Sequence, residues 1–284
     1  MNYLLVDTPY LCHRAFHTVK AQLVNEQSSN LIAFQVLRDL EILKDKFAHE
    51  RIVLAFDSKT SLRQQVYPNY KSTRKARRNS ANPEEKRAYA LFDFIVDRLQ
   101  RKILPSAGYR NVLNIEGYEA DDIIAKVAEG IGRPDEAVIA ANDGDLLQCL
   151  TDRVVVYNIQ RKEVTTSKSF RDMYQIDPVQ WANVKALAGC ATDDVEGIEG
   201  IGESTASAWE AGLLKPEGKR FKQINANLHI ATRNFPLVKI PYQPPPVDGK
   251  KQKGIQIPEL FPDECSEESR QHVLRKLGFS KADR

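Results

Sequence analysis

This 284-residue chain lacks long apolar runs, and no stretch of it is long enough to cross a bilayer. Residues 1–6 contain neither a basic segment nor a cleavable apolar core, so they are not expected to form a secretory signal. Cysteine is scarce as well, and the four cysteines form no CxxC pair. That scarcity argues against a disulfide framework or a zinc cage and fits a reducing compartment. We therefore expect a cytoplasmic protein with no membrane partner.

Charge of one sign is missing from long parts of the chain, although the net charge is only +3. Residues 58–83 contain seven basic residues and no acid, whereas residues 116–145 contain nine acids and two basic residues. Residues 215–254 reverse the balance again, with nine basic residues and two acids. A solvated surface usually mixes the signs. Alternating blocks indicate a polyanion held by basic flanks around an acidic centre.

Short apolar runs alternate with segments of helical periodicity in the first part of the chain. The runs predict strands at residues 3–6, 52–56, 112–115, 137–141 and 154–157. The periodic segments predict helices at residues 31–47, 83–103 and 118–131. This alternation predicts an α/β domain with a mostly parallel central sheet and flanking helices.

The later part of the chain has a different pattern. Helices are predicted at residues 179–188 and 204–211, and a last short helix at 267–277. The proline- and lysine-rich stretch 235–262 predicts an extended segment between them. We therefore divide the chain into an α/β domain at residues 1–166 and a helical region with a C-terminal extension at residues 167–284.

Acidic side chains follow three of the predicted strands. Asp7, Asp57 and Asp143 each stand at or just past a strand end. In open sheets of this class, sites form beyond the carboxyl ends of the strands. We therefore expect these three carboxylates to lie at one edge of the sheet.

Further acids cluster near these strand ends. They are Glu119, Asp121 and Asp122 at a predicted helix start, Asp145 after the fourth strand, and Asp193. Taken singly, each is more typical of a helix cap or a turn. Together they predict a metal site, because convergent carboxylates repel one another unless cations neutralise them. Hard oxygen ligands select Mg²⁺ or Mn²⁺, and two such ions roughly 4 Å apart can activate a water and stabilise the leaving oxygen of a phosphodiester. No histidine lies in these motifs, which disfavours a histidine general base.

Two further segments point to nucleic acid. Gly197, Gly200 and Gly202 lie between two predicted helices, where backbone N–H groups could approach a phosphate; the alternative is a glycine-rich turn without a ligand. Lys71 and Arg74 have the spacing of one helical face and could stabilise transition-state charge, while Tyr67 and Tyr70 could stack on an unpaired base. The alternative for this segment is a solvated basic loop that orders only with substrate.

At these residues the chain resembles the 5′-nuclease family, which includes phage and bacterial flap endonucleases and the 5′-nuclease domain of bacterial DNA polymerase I. The matching segments occur in family order and are LLVD (4–7), AFD (55–57), YPNYKSTR (67–74), GYEADDIIA (117–125), ANDGDLLQCL (141–150) and KALAGCATDDVEGIEGIGESTA (185–206). The resemblance covers roughly residues 1–212. It implies a PIN-like sheet with a carboxylate-rich site, a helical arch at residues 67–104, and a helix–hairpin–helix subdomain.

The resemblance also implies individual roles. The acids of the first metal region are Asp7, Asp57, Glu119, Asp121 and Asp122, and those of the second are Asp143, Asp145 and Asp193. The residues that contact DNA are Tyr70, Lys71, Arg74, Lys75, Lys185, Gly197, Gly200 and Gly202, with Lys71 and Arg74 also catalytic. The hairpin at residues 197–202 is expected to bind duplex DNA and a K⁺ ion through its carbonyls.

One departure from the family pattern concerns the second metal region. The family usually has Gly-Asp-x-x-Asp-Asn before the hairpin, whereas this chain has cysteine at 190 and aspartate at 194. A thiolate is a poor ligand for Mg²⁺. We expect two ions, with the second bound more weakly or with Asp194 partly compensating.

The sequence therefore predicts a structure-specific 5′→3′ exonuclease and flap endonuclease that hydrolyses DNA phosphodiesters with divalent metals. Its partner is DNA with a free 5′ end or a 5′ flap, and the protein is expected to be a monomer. Two alternatives stay open: a catalytically weak protein that binds branched DNA, motivated by Cys190, and a PIN-like RNase, against which the hairpin argues.

Overall fold

A six-stranded sheet forms the centre of the computed structural model, which describes residues 2–246, 249 and 252–280. Its strands are β1 Asn2–Asp7, β2 Arg51–Phe56, β3 Asn111–Asn114, β4 Glu136–Ala141, β5 Val154–Asn158 and β6 Glu163–Thr165. They lie in the order β3-β2-β1-β4-β5-β6; the first five pair in parallel, and β6 runs antiparallel to β5. The mostly parallel sheet is therefore confirmed, and β6 is an edge strand that was not predicted.

Helices cover both faces of this sheet and continue beyond it. In chain order they are α1 Thr8–Val19, α2 Glu26–Lys46, α3 Leu62–Val66, α4 Ser72–Ser80, α5 Pro83–Arg98, α6 Leu104–Ser106, α7 Ala120–Glu129, α8 Ser167–Tyr174, α9 Trp181–Ala188, α10 Glu203–Glu210, α11 Lys219–Ala226, α12 Leu228–Val238 and α13 Glu267–Lys276. None of these helices is both long and apolar enough to span a bilayer.

The hydrophobic core has two parts, one on each face of the sheet. Successive side chains of a strand point to opposite faces, so Leu4 and Val6 pack with α1, α2 and α5, whereas Leu5 packs with α7 and α9. Leu5 pairs with Val53 of β2 and Ile139 of β4, which makes β1 the fully buried centre of the sheet. The carboxyl ends of β1, β2 and β4 are thereby held side by side.

Helix α1 was not predicted, although its start carries recognisable signals. Asp7 is the last residue of β1 and also the N-cap of α1, and its Oδ1 accepts a hydrogen bond from the Tyr10 N–H at 3.0 Å. Pro9 occupies the first turn, where its missing N–H costs nothing. One aspartate therefore ends a strand and begins a helix, and its side chain is fixed at the edge of the sheet.

Most of the arch segment at residues 67–104 is helical. Residues 72–80 form α4, and whether this stretch orders only with substrate stays a prediction. The predicted helix at 83–103 is present as α5, which begins at Pro83 with Asn82 as its cap and continues through a π-turn at Leu99–Ile103. The arch is therefore two connected helices, of which α4 is the basic one.

The C-terminal part returns to the first domain. The predicted extended stretch 235–262 is helical in its first four residues, which belong to α12, and residues 247, 248, 250 and 251 of it lie outside the described part of the chain. Helix α13 confirms the predicted last helix, and it packs against the core beside α2, where the Asn30 side chain donates to the Leu277 carbonyl. The proposed division at residue 166 stays a prediction.

Candidate metal centre and nucleic-acid interface

The three strand-end acids lie at one edge of the sheet. Asp7 ends β1, Asp57 follows β2, and Asp143 follows β4. Asp57 Oδ1 accepts a hydrogen bond from the Ala120 N–H at 2.9 Å, which attaches the first turn of α7 to the end of β2. The positive end of the α7 dipole therefore lies beside this carboxylate.

Glu119 and Asp121 come to the same place from the start of α7. Glu119 is the N-cap residue, and Asp121 lies in the first turn. Burial, and then the charges of Asp143 and Asp7, raise the pKa of Asp121 well above its ordinary value. The structure therefore brings Asp121 beside the strand-end acids.

Mutual repulsion is visible at Asp7. Burial, together with the charges of Asp57 and Asp143, raises the pKa of Asp7 to about 7, against the partial relief that the Tyr10 N–H supplies. Burial also raises the pKa of Asp57, and the nearby Glu119 adds to that rise. Five carboxylates thus occupy one cleft: Asp7, Asp57, Glu119, Asp121 and Asp143.

Asp122 occupies a different position from its neighbours. It is fully buried, and its two oxygens accept hydrogen bonds from the Arg63 guanidinium at 2.6 and 2.8 Å. Its oxygens also accept from the N–H groups of Glu119 and Tyr242. These four hydrogen bonds occupy both carboxylate oxygens and leave none free for a metal ion. Asp122 therefore holds the start of α7 in place, and its predicted role as a metal ligand is wrong in this structure.

Arg63 has a central position that was not predicted, because in the sequence it is only one of the seven basic residues of 58–83. It is 3% exposed, and besides Asp122 it lies 3.5 Å from Glu119 Oε2 and donates to the Leu237 carbonyl at 2.8 Å. It therefore links α3, the acidic start of α7 and the end of α12. No sequence signal separates this arginine from its solvated neighbours.

A second acidic group lies next to the first. Ligand atoms of Asp145, Cys190 and Asp193 all lie within 4.8 Å of one another. Burial and the neighbouring Asp143 raise the pKa of Asp145 to about 6, against the lowering effect of Lys185. Asp143 therefore lies between the two groups and influences both.

The basic arch residues reach directly into these acids. Lys71 Nζ lies 2.7 Å from Glu119 Oε1, and Arg74 Nη2 lies 3.0 Å from Asp193 Oδ1. Burial alone would raise the pKa of Glu119, but the charges of Lys71 and Arg63 outweigh it and hold this pKa below its ordinary value. The two cations that the sequence assigned to the scissile phosphate thus partly neutralise the cleft in this structure.

Tyr70 has a position that the stacking interpretation did not anticipate. Its ring is 2% exposed, and its hydroxyl donates to Glu119 Oε2 at 2.8 Å. A base cannot stack on a buried ring, so the stacking prediction for Tyr70 is wrong in this conformation. Tyr70 instead holds Glu119 in place, while Lys75 is exposed on α4.

Main-chain contacts fix the arch above the second group. The Lys71 N–H donates to the Asp193 carbonyl at 2.9 Å, and the Thr73 N–H donates to Asp194 Oδ2 at 2.8 Å. Helix α4 has no side-chain cap of its own, so Asp194 supplies one from another segment. This position of the unusual Asp194 favours a role in arch placement rather than metal binding.

The hairpin lies between α9 and α10. A Cβ atom at Gly197 would stand 2.1 Å from the Ala188 carbonyl oxygen, so this glycine permits close backbone packing. Gly200 has φ +69 and, like Gly202, has open space where a Cβ would be, which suits approach by a phosphate. Lys185 of α9 instead contacts acids, with its Nζ 2.9 Å from both Asp145 Oδ1 and Glu203 Oε1.

The donor chemistry of the first group fits a hard divalent ion. All five acids offer carboxylate oxygens, which are the donors that hard divalent ions prefer. Their charges also raise one another's pKa values, and a cation would offset this repulsion. Asp7, Asp57, Glu119, Asp121 and Asp143 are the residues that would hold such an ion. The second group differs, because one of its three donors is sulfur.

Metal binding is expected to stabilise the protein more at high pH than at low pH. Because the folded pKa of Asp7 is raised from 3.8 to about 7, the metal-free fold loses stability as pH rises through that window, and a bound cation removes the loss. Below about pH 7, where Asp7 is protonated in the metal-free fold, protons compete with the ion for the carboxylates. The increase in Tm on adding Mg²⁺ should therefore be larger at about pH 8 than at about pH 5.5. A larger increase at the lower pH would contradict this account of the cleft.

Comparison with known proteins agrees with this geometry. The family model described as 5′-3′ exonuclease, N-terminal resolvase-like domain, matches residues 2–175. A 5′-3′ exonuclease of Buchnera aphidicola subsp. Schizaphis graminum (strain Sg) is 30% identical over 206 residues, which cover 72% of this chain and 67% of that protein. The thermostable DNA polymerase I of Thermus aquaticus is 32% identical over 207 residues, which cover 72% of this chain and 23% of that protein.

A solved structure shows the same fold. The bacteriophage T5 flap endonuclease, in a pseudo-enzyme–product complex with DNA and metal ions, matches with a TM-score of 0.67 and 23% identity. The match covers 84% of this chain and 89% of that chain. The fold of this chain is therefore that of a known architecture over most of its length.

Proposed function

Because this chain belongs to the 5′-3′ exonuclease family, we propose that it is a metal-dependent nuclease that hydrolyses DNA phosphodiesters near a free 5′ end or a 5′ flap. The observation that carries the proposal is the convergence of five carboxylates beneath a basic helix that contacts them. Acids with a purely structural role would not be expected to lie together, because their mutual repulsion costs free energy unless a cation offsets it. A phosphodiester site needs both the cation ligands and a group that attracts phosphate.

The side chains of this chain divide the work between them. Divalent ions, Mg²⁺ or Mn²⁺, supply water activation and charge stabilisation at the leaving oxygen when they are bound. Asp7, Asp57, Glu119, Asp121 and Asp143 hold the cations. In this structure Lys71 pairs with Glu119, and Arg74 pairs with Asp193. When DNA binds, the scissile phosphate replaces these acids as the partner of the two basic side chains.

The DNA contacts follow from the position of the basic segments. The arch carries the exposed Lys75 on α4, and the open glycines at 200 and 202 present backbone N–H groups at the start of α10. The relatives include a flap endonuclease solved with DNA and metal ions, which supports a DNA substrate for this chain. We further propose that the protein acts as a monomer in the cytoplasm.

A potassium ion at the hairpin is part of the same proposal. The carbonyl of Glu199 accepts a hydrogen bond from Gln223 at 2.6 Å, and the carbonyl of Gly200 lies 3.5 Å from Arg220. These side chains of α11 occupy carbonyls that a cation would use, so K⁺ binding requires them to turn away. DNA binding that strengthens in KCl relative to an equal concentration of NaCl supports the ion.

The direct test of function is cleavage of defined substrates by the purified protein. The substrates are a labelled 5′-flap DNA, the same DNA with a hairpin-capped 5′ end, and an RNA duplex of matching sequence. With Mg²⁺ or Mn²⁺ we expect cleavage near the flap junction, little cleavage of the capped DNA, and none of the RNA. Preferential RNA cleavage would favour the PIN-like RNase, and binding without cleavage in either metal would favour the catalytically weak branched-DNA-binding protein.

Replacement of Lys71 by alanine should slow catalysis more than it weakens binding. Lys71 is placed among the carboxylates rather than on the duplex-binding surface, so its charge acts where the phosphate reacts. We expect kcat to fall by about a hundredfold, whereas the Kd for duplex DNA changes by less than about fivefold. The matched control is Lys126→Ala, since Lys126 pairs only with Glu129 at the far end of α7 among the contacts described. Equal losses in kcat and binding would contradict a transition-state role.

A further inference from the structure

The second acidic group contains an unusual donor set. Cys190 ends the short strand β7 (Gly189–Cys190), and a tight turn at Ala191–Asp193 brings Asp193 back beside it. Its Sγ lies 3.1 Å from Thr192 Oγ1 and, with oxygens of Asp145 and Asp193, belongs to a trio of ligand atoms within 4.8 Å of one another. Rotamer adjustments of about 1 Å bring such atoms to the distances found around a single ion.

One oxygen of this trio is held by an ion pair but by no well-aligned hydrogen bond. Asp145 is 7% exposed, and Lys185 Nζ lies 2.9 Å from its Oδ1 without the alignment of a hydrogen bond. A buried carboxylate oxygen without an aligned donor is costly, and a coordinated cation would relieve that cost. Asp145 Oδ1 therefore keeps a lone pair that a cation beside Cys190 and Asp193 could use.

The charges around the trio disfavour an ion held by oxygen alone. Asp145 is already paired with Lys185, and Asp193 is paired with Arg74 at 3.0 Å. Mg²⁺ prefers an octahedral set of oxygens and gains its affinity from uncompensated negative charge. A thiophilic ion gains affinity from the sulfur bond instead, because thiolate ligands select zinc over magnesium.

We propose that Asp145, Cys190 and Asp193 form a mixed sulfur and oxygen site that takes Zn²⁺ or a similar thiophilic divalent cation in preference to Mg²⁺. Binding replaces the S–H bond of Cys190 by a sulfur–metal bond and releases one proton to solvent, with no oxidation. The proposal refines the proposed function, because the first group then takes a hard ion while the second responds to a different metal.

Cobalt(II) supplies a test that does not depend on cleavage. Co²⁺ substitutes for Zn²⁺, and a cobalt–thiolate bond produces a charge-transfer absorption in the near ultraviolet. We expect the metal-free protein titrated with Co²⁺ to show this band, and Cys190→Ser to lose it. The matched control is Cys265→Ser, which removes a half-buried thiol that lies outside the trio and should leave the band unchanged. A missing band in the natural protein, or an unchanged band in Cys190→Ser, overturns the proposal.

Competition between metals then tests selectivity. Zn²⁺ should displace Co²⁺ and remove the band, whereas a large excess of Mg²⁺ should leave it in place. The reciprocal variant Cys190→Asp restores an all-oxygen set and is expected to bind Mg²⁺ at this site at least about tenfold more tightly in calorimetry, since even outer partners of a metal change affinity by such factors. Displacement by Mg²⁺ as effective as by Zn²⁺ overturns the proposed selectivity.

The two proposals fail separately in these experiments. A protein that shows the cobalt band but cleaves no DNA refutes the nuclease and leaves the mixed site standing. A protein that cleaves flap DNA but shows no band refutes the mixed site alone. Circular dichroism of Cys190→Ser and Cys190→Asp checks that each variant is folded before either conclusion is drawn.

Discussion

Replacement of Asp143 by alanine is expected to abolish cleavage while largely preserving DNA binding. Asp143 lies between the two acidic groups, where its charge raises the pKa values of Asp7, Asp121 and Asp145. Its side chain is exposed to the cleft, and Oδ1 accepts from the Asp145 N–H at 2.8 Å. A carboxylate with this central position can contact ions held by either group.

The expected loss in kcat is at least about a hundredfold, the scale on which removing one preorganised charge-stabilising group acts. Because the proposed function assigns DNA binding to the arch and the hairpin, the Kd for flap DNA in the presence of Ca²⁺ should change by less than about fivefold. Metal-free Asp143→Ala should lose less stability than the about 0.5–2 kcal/mol that loss of a capping side chain normally costs, because relief of repulsion offsets the lost hydrogen bond from the Asp145 N–H. That last result separates a metal ligand from a merely structural acid.

The matched control for Asp143→Ala is Asp172→Ala, which removes an exposed aspartate of α8. It should cleave normally and bind normally. If Asp143→Ala cleaves at the natural rate, the assignment of the strand-end acids to the metals is wrong. If it loses DNA binding to the same extent as cleavage, its role is in substrate placement instead.

Replacement of Arg63 by methionine is expected to cause the largest loss of stability among the variants considered. The arginine is 3% exposed and the carboxylate of Asp122 is fully buried, so the variant leaves a buried charge without its partner. Breaking a buried pair in this way costs about 3–5 kcal/mol in the free energy of unfolding. The carbonyl of Leu237 also loses its donor, which adds to the loss.

Urea denaturation of single and double variants measures this effect. Arg63→Met and Asp122→Leu should each lose stability, whereas the double variant should be more stable than either, because no unpaired charge remains. The matched surface control is Asp93→Ala, which breaks the Arg78–Asp93 pair of 2.7 Å, with side chains 43% and 61% exposed. Its loss should be about 0–1 kcal/mol. A double variant less stable than both singles would show that packing, not charge pairing, dominates at this position.

The strands at the centre of the sheet could be predicted from local sequence patterns. Short apolar runs with an aspartate at or just past their ends predicted β1, β2 and β4, and the structure has these strands in parallel with their ends adjacent. Buried parallel strands need nearly continuous apolar residues, so their sequence signal is strong. The starts of α5 and α7 were also recognisable from local residues, because Pro83 and the acids around Glu119 are typical of a first helical turn.

Other features had no local signal. Asp121 and Asp122 are adjacent and alike in sequence. Asp121 faces the other acids of the cleft, whereas Asp122 faces Arg63, because neighbouring residues on a helix point in different directions. Tyr70 resembled an exposed stacking residue, but its burial depends on contacts with Cys190 and Val195, which lie more than a hundred positions away. The C-terminal extension, with its return to α2, was likewise hidden because such contacts join distant parts of the chain.

The amino-acid sequence alone determined the strand pattern, the acidic residues at the strand ends and the family of the chain, because hydrophobic periodicity and ordered motifs are local properties. Only the tertiary structure decided which acids share the cleft, which are paired with arginine or lysine, and where the thiol of Cys190 lies. Those outcomes depend on distances between segments far apart in the chain. Hydrogen bonds and metal coordination require atoms within a few ångströms of one another, and ion pairs are strongest there, so packing decides which of these contacts form.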